Sequence, residues 1–336
     1  MSLGYADKRS FSSTINSILA RLGIDVSPRV SLRDWLPGVG RGQIDSSLID
    51  EALLRRLERL TLLSGGTKEA ALIGEHRSWR RASSFEFADH RRYVAGDDYR
   101  RIDWNVYGRL DGLFLKLNEA REDIPIHILL DCSKSMDCGE PHKLTYGKKL
   151  VAALAYLALS RFDSVSVVSF SDRLHQRYPM VKGKSQTVNL LDFLNGVEVG
   201  GKTELLPSLL DYSHMYRHAG LMVIISDFLT SEDLEEGMSV LTKSGYDVQV
   251  IHLLAADELD PSVTGELELL DSESGEVVEI TVGPNVITQY KERVSEWVDD
   301  VEDRFKSLGI RYAAGNSGVP LEHLIMNTMR QKGLVG

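Results

Sequence analysis

The stretch Ile124-Pro-Ile-His-Ile-Leu-Leu-Asp131-Cys-Ser133-Lys-Ser135-Met136 decides the fold. It begins as a short apolar run of strand length, which is typical of a buried parallel strand. It then places a carboxylate and two hydroxyls at alternate positions, on Asp131, Ser133 and Ser135. Ligands bind at the carboxyl ends of the strands in open α/β sheets, and oxygen ligands suit a hard divalent cation. The stretch therefore predicts a buried strand that ends in a metal site.

Strand-like and helix-like segments alternate after this stretch, which predicts an α/β fold with a doubly wound, mostly parallel sheet. The predicted strands are 124–130, 164–170, 174–178 as a hairpin partner, 221–225, 248–254 and 310–314. The predicted helices are 143–160, 187–194, 205–218, 232–242, 289–308 and one that begins at Pro320. Two further runs, 266–270 and 277–282, are predicted to form an inserted β-hairpin.

The chain of 336 residues is 43% hydrophobic, so it can bury a sizeable core, and its length suits one large domain plus a smaller one, or two of ordinary size. We expect residues 1–44 to be a poorly ordered N-terminal extension. Residues 45–122 are predicted to hold an N-terminal helix at 45–63, docked on its own protein, and a small β subdomain with an edge strand at 108–117. Residues 123–336 are predicted to form the α/β domain, with the hairpin inserted near 265–282.

Composition excludes several classes of protein. The formal charge of −10 and the pI of about 5.5 are unlike those of a nucleic-acid-binding protein. Cys132 and Cys138 are too few for a disulfide framework and lack the second ligand pair of a zinc site, so we expect small buried thiols. The longest apolar run, 151–159, falls short of the ~20 residues of a membrane span. No signal peptide is apparent, and we expect a soluble, cytoplasmic protein.

Arginines and aspartates interleave through residues 85–105, and this segment has two interpretations. Asp97, Asp98 and Asp103 are candidate catalytic or metal-binding carboxylates. Alternatively they belong to an arginine–carboxylate network that holds irregular backbone, because the guanidinium group binds carboxylates bidentately. As many arginines as aspartates lie close by, and this balance favours the structural interpretation.

Two later loops add oxygen ligands to the set that follows the first strand. Thr203 lies in the loop before the predicted helix 205–218, and Asp227 follows the apolar strand 221–225. Taken singly, each residue has a structural explanation: Ser133 and Thr203 as helix N-caps and Asp227 as the end of a strand. Taken together, two carboxylates and three hydroxyls at one end of a sheet predict a site for a divalent cation.

This set resembles the metal-ion-dependent adhesion site of von Willebrand factor A domains, which have a Rossmann-like fold. The motif residues are Asp131-x-Ser133-x-Ser135, Gly201-x-Thr203 and Ser226-Asp227. In that family the serines and the threonine coordinate Mg²⁺ or Mn²⁺ directly and the aspartates act through water. A partner's carboxylate fills the open position. The resemblance implies these roles for Ser133, Ser135 and Thr203, and for Asp131 and Asp227.

A second resemblance is to the bacterial Domain of Unknown Function 58 family, from about residue 45 to the end. It is carried by His76-Arg-Ser78, Arg92-Tyr-x-x-Gly-Asp-Asp-x-Arg100 and Ile102-Asp-Trp104. Members commonly accompany MoxR-type AAA+ ATPases and are thought to help assemble or mature protein complexes. The resemblance implies a non-enzymatic adaptor that grips an Asp or Glu of a MoxR-type ATPase or of a client protein through Mg²⁺.

Two alternatives use the same residues. Residues 196–203, ending in Gly201-Lys202-Thr203, match the Walker A pattern, but a phosphate loop must follow a strand and the preceding segment has helical spacing. A metal-assisted hydrolase would use the same ion to activate water. It requires a general base, and the available His175 and His214 lie in periodic surroundings typical of scaffold residues.

Overall fold

A computed structural model of the chain describes residues 56, 60–63, 85–94, 97, 99, 102–110, 112–120, 124–215, 219–230, 234–262, 265–270 and 277–336. The predicted extension 1–44 and most of the predicted helix 45–63 lie outside these residues. The chain divides into two compact units. The main unit comprises Met1–Glu69 and Pro125–Gly336, and the small unit comprises Ala70–Ile124.

Within its described residues, the small unit contains two strands, β1 (Phe85–Arg92) and β2 (Phe114–Ala120), and the helix α1 (Trp104–Leu110). The two strands pair antiparallel, with an irregularity between Phe87 and Asp89.

The predicted edge strand 108–117 is wrong in its first half, because residues up to Leu110 are helical and the strand begins only at Phe114. Asp103 explains the difference. Its backbone oxygen accepts from the amide of Tyr107 at 3.0 Å, and its carboxylate accepts from the amide of Val106 at 3.4 Å. An aspartate at this position satisfies the free amides of a helix N-terminus.

The main unit is built on a six-stranded sheet, as predicted. The six strands of this sheet are β3 (Pro125–Asp131), β4 (Ser164–Phe170), β5 (Leu174–Lys182), β6 (Leu221–Ser226), β7 (Asp247–Leu254) and β10 (Arg311–Asn316). Two further strands, β8 (Gly265–Leu270) and β9 (Val277–Val282), form a separate pair. The order across the sheet is β10-β7-β6-β3-β4-β5, and only β5 runs antiparallel to its neighbour. The predicted hairpin is confirmed as the antiparallel pair β8–β9.

Helices follow the strands in the predicted alternation. They are α2 (Lys143–Ser160), α3 (Thr187–Asn195), α4 (Leu205–Met215), α5 (Leu234–Lys243), α6 (Ala256–Leu259), α7 (Pro284–Ser307) and the single turn α8 (Leu321–His323), which continues as a π-helix over Leu324–Met329. The helix α7 begins five residues earlier than predicted, because Pro284 occupies its first position, where its missing amide hydrogen costs nothing. Among the described helices, none has the length and apolarity needed to span a bilayer.

Both faces of the sheet are covered, which explains its continuous apolar strands. On one face, side chains of α4, α5 and α7 join one core cluster with alternate residues of the strands. On the other face α2 approaches closely: a Cβ on Gly147 would lie 3.0 Å from a methyl carbon of Leu130. Every residue of β4 and β6 is buried.

The predicted helix 45–63 is wrong at its C-terminal end. Residues 60–63 are not helical, and Leu62 forms an antiparallel bridge with Val335. The amide of Thr61 donates to the oxygen of Gly336 at 2.9 Å, and the amide of Leu63 donates to the oxygen of Leu334 at 3.0 Å. Pairing with the chain's C-terminus therefore replaces the last helical turn.

Candidate metal centre

Two aspartates end neighbouring parallel strands at the carboxyl edge of the sheet. In the register of β3 with β6, Leu130 lies opposite Ile225, so Asp131 and Asp227 follow within two residues of a matched pair. Both side chains are fully buried. Parallel pairing thus places two carboxylates side by side at the edge where α/β proteins bind ligands.

A third loop, which carries Thr203, lies against the loop that follows β3. The amide of Gly200 donates to the oxygen of Cys132 at 2.8 Å, and the amide of Lys134 donates to the oxygen of Gly201 at 3.2 Å. Thr203 itself is buried. The structure therefore brings the three loops that carry the predicted site residues to the same edge of the sheet.

Asp131 is held on both of its oxygens. The amide of Ser133 donates to Oδ1 at 2.8 Å, and the hydroxyl of Ser226 donates to Oδ2 at 2.6 Å. Ser133 precedes a 3₁₀ turn at Lys134–Met136, but its side chain does not cap that turn. Instead its Oγ lies 2.9 Å from the Oγ of Ser135. Two buried hydroxyls thus lie together beside a fixed carboxylate.

Asp227 begins a tight turn and binds a buried lysine. Its Oδ1 accepts from the amide of Leu229 at 3.2 Å, and its Oδ2 accepts from Nζ of Lys143 at 2.7 Å. The next residue, Phe228, has φ +50°, a left-handed conformation that is costly for a bulky side chain. Its amide donates to the hydroxyl of Ser226 at 2.9 Å. This strained turn and the bond to Lys143 hold the Asp227 carboxylate in place.

Lys143 links Asp227 to a third buried carboxylate. Its Nζ also donates to Oε1 of Glu258 at 2.7 Å, and neither side chain is more than 5% exposed. Burial by itself would lower the pKa of Lys143. The negative charges of Asp227 and Glu258 outweigh this effect and raise the pKa well above its usual value. The lysine is therefore charged.

The ionised form of Asp131 is destabilised by its surroundings. Burial, and then the negative charge of Asp227, raise the pKa of Asp131 to about 7, although hydrogen bonds from Ser133 and Ser226 oppose the shift. Among the described residues, no group of three or more His, Cys, Asp and Glu is placed to hold a metal ion. Two carboxylates and three hydroxyls would instead offer oxygen ligands alone, the type that Mg²⁺ and Mn²⁺ prefer, and such an ion would offset the repulsion between the aspartates.

The two cysteines are both free and buried. Burial raises the pKa of each thiol to about 12, so both stay protonated and unreactive. The thiol of Cys132 donates to the oxygen of Phe170 at 3.1 Å, and that of Cys138 donates to Glu258 Oε1 at 3.2 Å. They pack as small thiols in the loop that follows β3.

The phosphate-loop alternative does not fit the structure. The residues before Gly196 form α3, so a helix stands where a phosphate loop requires a strand. Gly201 has φ +79°, and a Cβ there would lie 2.3 Å from the hydroxyl oxygen of Ser171. This glycine is therefore needed for close packing of the Thr203 loop.

The two histidines considered as bases lie on β5 and α4, not on the strand ends that carry the two aspartates. His175 is on β5, where its Nε2 lies 2.5 Å from the hydroxyl of Ser171 and 3.3 Å from Oδ1 of Asp172. His214 is exposed near the end of α4.

The candidate aspartates of the small unit bind backbone amides. The carboxylate of Asp97 accepts from the amide of Val94 at 2.9 Å, and Asp103 starts α1. Both aspartates thus hold backbone; the side chain of Asp98 lies outside the described residues.

A family model with the description "Protein of unknown function DUF58" matches residues 89–297. The chain belongs to this family. The family resemblance seen in the sequence is therefore confirmed. Relatives of this DUF58 protein include the uncharacterized protein Rv1480 of Mycobacterium tuberculosis H37Rv, which is 23% identical over 278 residues, covering 81% of this chain and 86% of the relative. The uncharacterized protein Mb1516 of Mycobacterium bovis matches to the same extent.

Solved structures with a similar arrangement share little sequence with this DUF58 protein. The conserved hypothetical protein BatB from Bacteroides thetaiotaomicron is 14% identical, with a TM-score of 0.40 over 62% of this chain and 98% of that one. Proximal thread matrix protein 1 from the mussel byssus, solved with a zinc-occupied MIDAS motif, is 17% identical, with a TM-score of 0.31 over 39% of this chain and 36% of that one. Similarity this low assigns no function to the edge of the sheet, and any proposal for it has to rest on the geometry of the site itself.

Sequence reasoning missed three residues of this centre: Ser226, Lys143 and Glu258. Ser226 stood in the quoted motif but was given no role. Lys143 carried a signal, because a lysine in the first turn of a helix opposes the helix dipole. Glu258 follows the carboxyl end of β7, the same edge of the sheet that holds Asp131.

Proposed function

We propose that this protein is a non-enzymatic, metal-dependent binding module. It holds Mg²⁺, or Mn²⁺, at the carboxyl edge of the sheet and uses the ion to bind an Asp or Glu side chain of a protein partner. One observation carries the proposal: two fully buried carboxylates, Asp131 and Asp227, end adjacent strands beside paired serine hydroxyls. Lys143 balances only one of the negative charges of Asp131, Asp227 and Glu258, so a bound cation would compensate the remainder.

Each side chain has a distinct task in this proposal. Ser133, Ser135 and Thr203 would bind the ion directly, and Asp131 and Asp227 would bind it through water, as the resemblance implies. The ion supplies positive charge to which a partner's carboxylate can bind. The amide of Ser133 and the hydroxyl of Ser226 fix the carboxylate of Asp131, so the site is organised before a ligand arrives.

The partner that we propose is a MoxR-type AAA+ ATPase, or a client protein that such an ATPase acts on. The association with such ATPases that the family resemblance implies supports this choice. A binding role fits the site better than hydrolysis. Lys143, the basic side chain bonded to Asp227, is held in its charged form by two carboxylates and cannot accept a proton from water.

Isothermal titration with MgCl₂ and MnCl₂ tests the metal site. We expect the wild-type protein to bind either ion and Asp227→Asn to lose binding. Asp192→Asn, which changes an exposed aspartate of α3, is the matched control and should bind like the wild type. Absence of metal binding by the wild-type protein would refute the proposal.

Affinity capture from the native cell tests the binding role. A partner should be retained with Mg²⁺ and lost with EDTA or with Asp131→Ala. Equal recovery under all three conditions would show that the partner is held by another surface.

A further inference from the structure

A buried lysine and a buried glutamate lie behind the candidate metal centre. Nζ of Lys143 lies 2.7 Å from Oδ2 of Asp227 and 2.7 Å from Oε1 of Glu258. The lysine and aspartate side chains are wholly buried, and that of the glutamate is 5% exposed. One ammonium group is thus shared between a proposed metal-site carboxylate and a carboxylate that the proposed site does not use.

Stability alone is a poor explanation for this arrangement. Removing two opposite charges from water costs about as much as their attraction returns, so a buried ion pair seldom stabilises more than apolar residues would. Lys143 is also the first residue of α2, where a positive charge opposes the helix dipole. Both the cost of burial and the helix dipole therefore disfavour a charged lysine at this position. Its presence points to a role in the adjoining site.

Glu258 is fixed in position from several sides. Its Oε2 accepts from the amide of Ala255 at 2.7 Å, and its Oε1 accepts from the thiol of Cys138 at 3.2 Å. Its backbone oxygen accepts from the hydroxyl of Tyr290 on α7 at 2.8 Å. The carboxylate of Glu258 is therefore held in a fixed position from which it attracts the ammonium group of Lys143.

We propose that Lys143 and Glu258 are positioning residues that set the affinity of the metal centre for its cation. This inference rests on the proposed function. Lys143 weakens cation binding, because its ammonium occupies an oxygen of Asp227 and its charge repels the ion. Glu258 restores part of the affinity, because it shares the ammonium and offsets its charge.

Charge counting gives the consequence. Asp131, Asp227 and Glu258 ionised carry three negative charges, and Lys143 carries one positive charge. A divalent cation makes the group neutral, whereas without Lys143 the loaded group would keep a negative charge and bind the ion more tightly. The lysine thus keeps the ion exchangeable and leaves its charge available to a partner's carboxylate.

The test compares three proteins by titration with MgCl₂ and MnCl₂: the wild type, Lys143→Met and Glu258→Gln. Lys143→Met should bind Mg²⁺ roughly tenfold more tightly, and Glu258→Gln should bind it roughly tenfold more weakly, as one unit charge a few ångströms away implies. Mg²⁺ should also raise the melting temperature of Lys143→Met by more than it raises that of the wild type. Opposite shifts in affinity support the proposal.

A structural pair would give a different pattern. If both variants lower the stability of the metal-free protein but bind Mg²⁺ within twofold of the wild type, the inference is overturned and the proposed function stands. If the wild type binds neither ion, the proposed function fails first. Should Lys143→Met not fold, Glu258→Gln decides alone: unchanged or tighter binding overturns the inference.

Discussion

Two buried polar clusters each include a residue of β3, and only one of them contains carboxylates. The neutral cluster, named for its lack of carboxylate and ammonium groups, joins His127, Ser166 and Tyr212 in the middle of the sheet. Nδ1 of His127 lies 2.7 Å from the hydroxyl of Tyr212, and the hydroxyl of Ser166 lies 3.2 Å from that same hydroxyl. The charged cluster joins Asp131, at the end of β3, to Asp227, Lys143 and Glu258.

The comparison separates scaffold from candidate site. In the neutral cluster the imidazole and the hydroxyls bind one another, so burial needs no ligand. In the charged cluster, burial and the charge of Asp227 raise the pKa of Asp131, so holding these carboxylates together lowers the free energy of unfolding when both are ionised. Polar groups that destabilise the empty protein are typical of ligand sites.

The largest expected effect is on metal affinity, and it should distinguish the clusters completely. Replacing Ser133 and Ser135 together by alanine removes two proposed ligands, and we expect Mg²⁺ affinity to fall by about a hundredfold or more, which corresponds to about 3 kcal/mol. Ser166→Ala removes an equally buried hydroxyl from the neutral cluster and should leave the affinity unchanged. Calorimetric titration checks both, and equal losses would mean that the hydroxyls act through the fold.

The second effect is on the pH dependence of stability without metal. The pKa of Asp131 lies near 7 in the folded protein and near 3.8 when unfolded, so between these values the folded state binds the extra proton. Stability should therefore rise as the pH falls from about 7 to about 4. Asp131→Asn should be more stable than the wild type at pH 8 in EDTA, by on the order of a few kcal/mol.

Urea unfolding in EDTA at pH 8 and pH 5 measures this difference between Asp131→Asn and the wild type. The two proteins should differ less at pH 5, because the wild-type carboxyl is then largely protonated when folded. A variant less stable than the wild type at both pH values would show that Asp131 stabilises the fold.

The smallest effect should come from the neutral cluster and have the opposite sign. Tyr212→Phe leaves His127 and Ser166 each one hydrogen bond short, and the free energy of unfolding should fall by about 1–2 kcal/mol. Mg²⁺ affinity should stay within twofold of the wild type. A large loss of metal binding in this variant would erase the distinction between the clusters.

The strands of the main unit were predictable because burial on both faces leaves a continuous apolar run, as in 124–130 and 221–225. The alternation of these runs with amphipathic helices also predicted the doubly wound sheet, which the strand order confirms. Errors fell where a distant or single contact decided the backbone. The segment 60–63 pairs with residues some 270 positions later, and α1 starts on the carboxylate of Asp103.

The sequence by itself determined the class of fold, the family and five oxygen-bearing candidate residues in loops at one edge of the sheet, because burial and motif spacing are local properties of the chain. Only the tertiary structure decided what surrounds those oxygens. Lys143 and Glu258 are 115 residues apart, and their meeting beside Asp227 depends on how α2 and the end of β7 pack around the sheet. Electrostatic energy depends on distance in space, so the charge balance of the site follows from the fold.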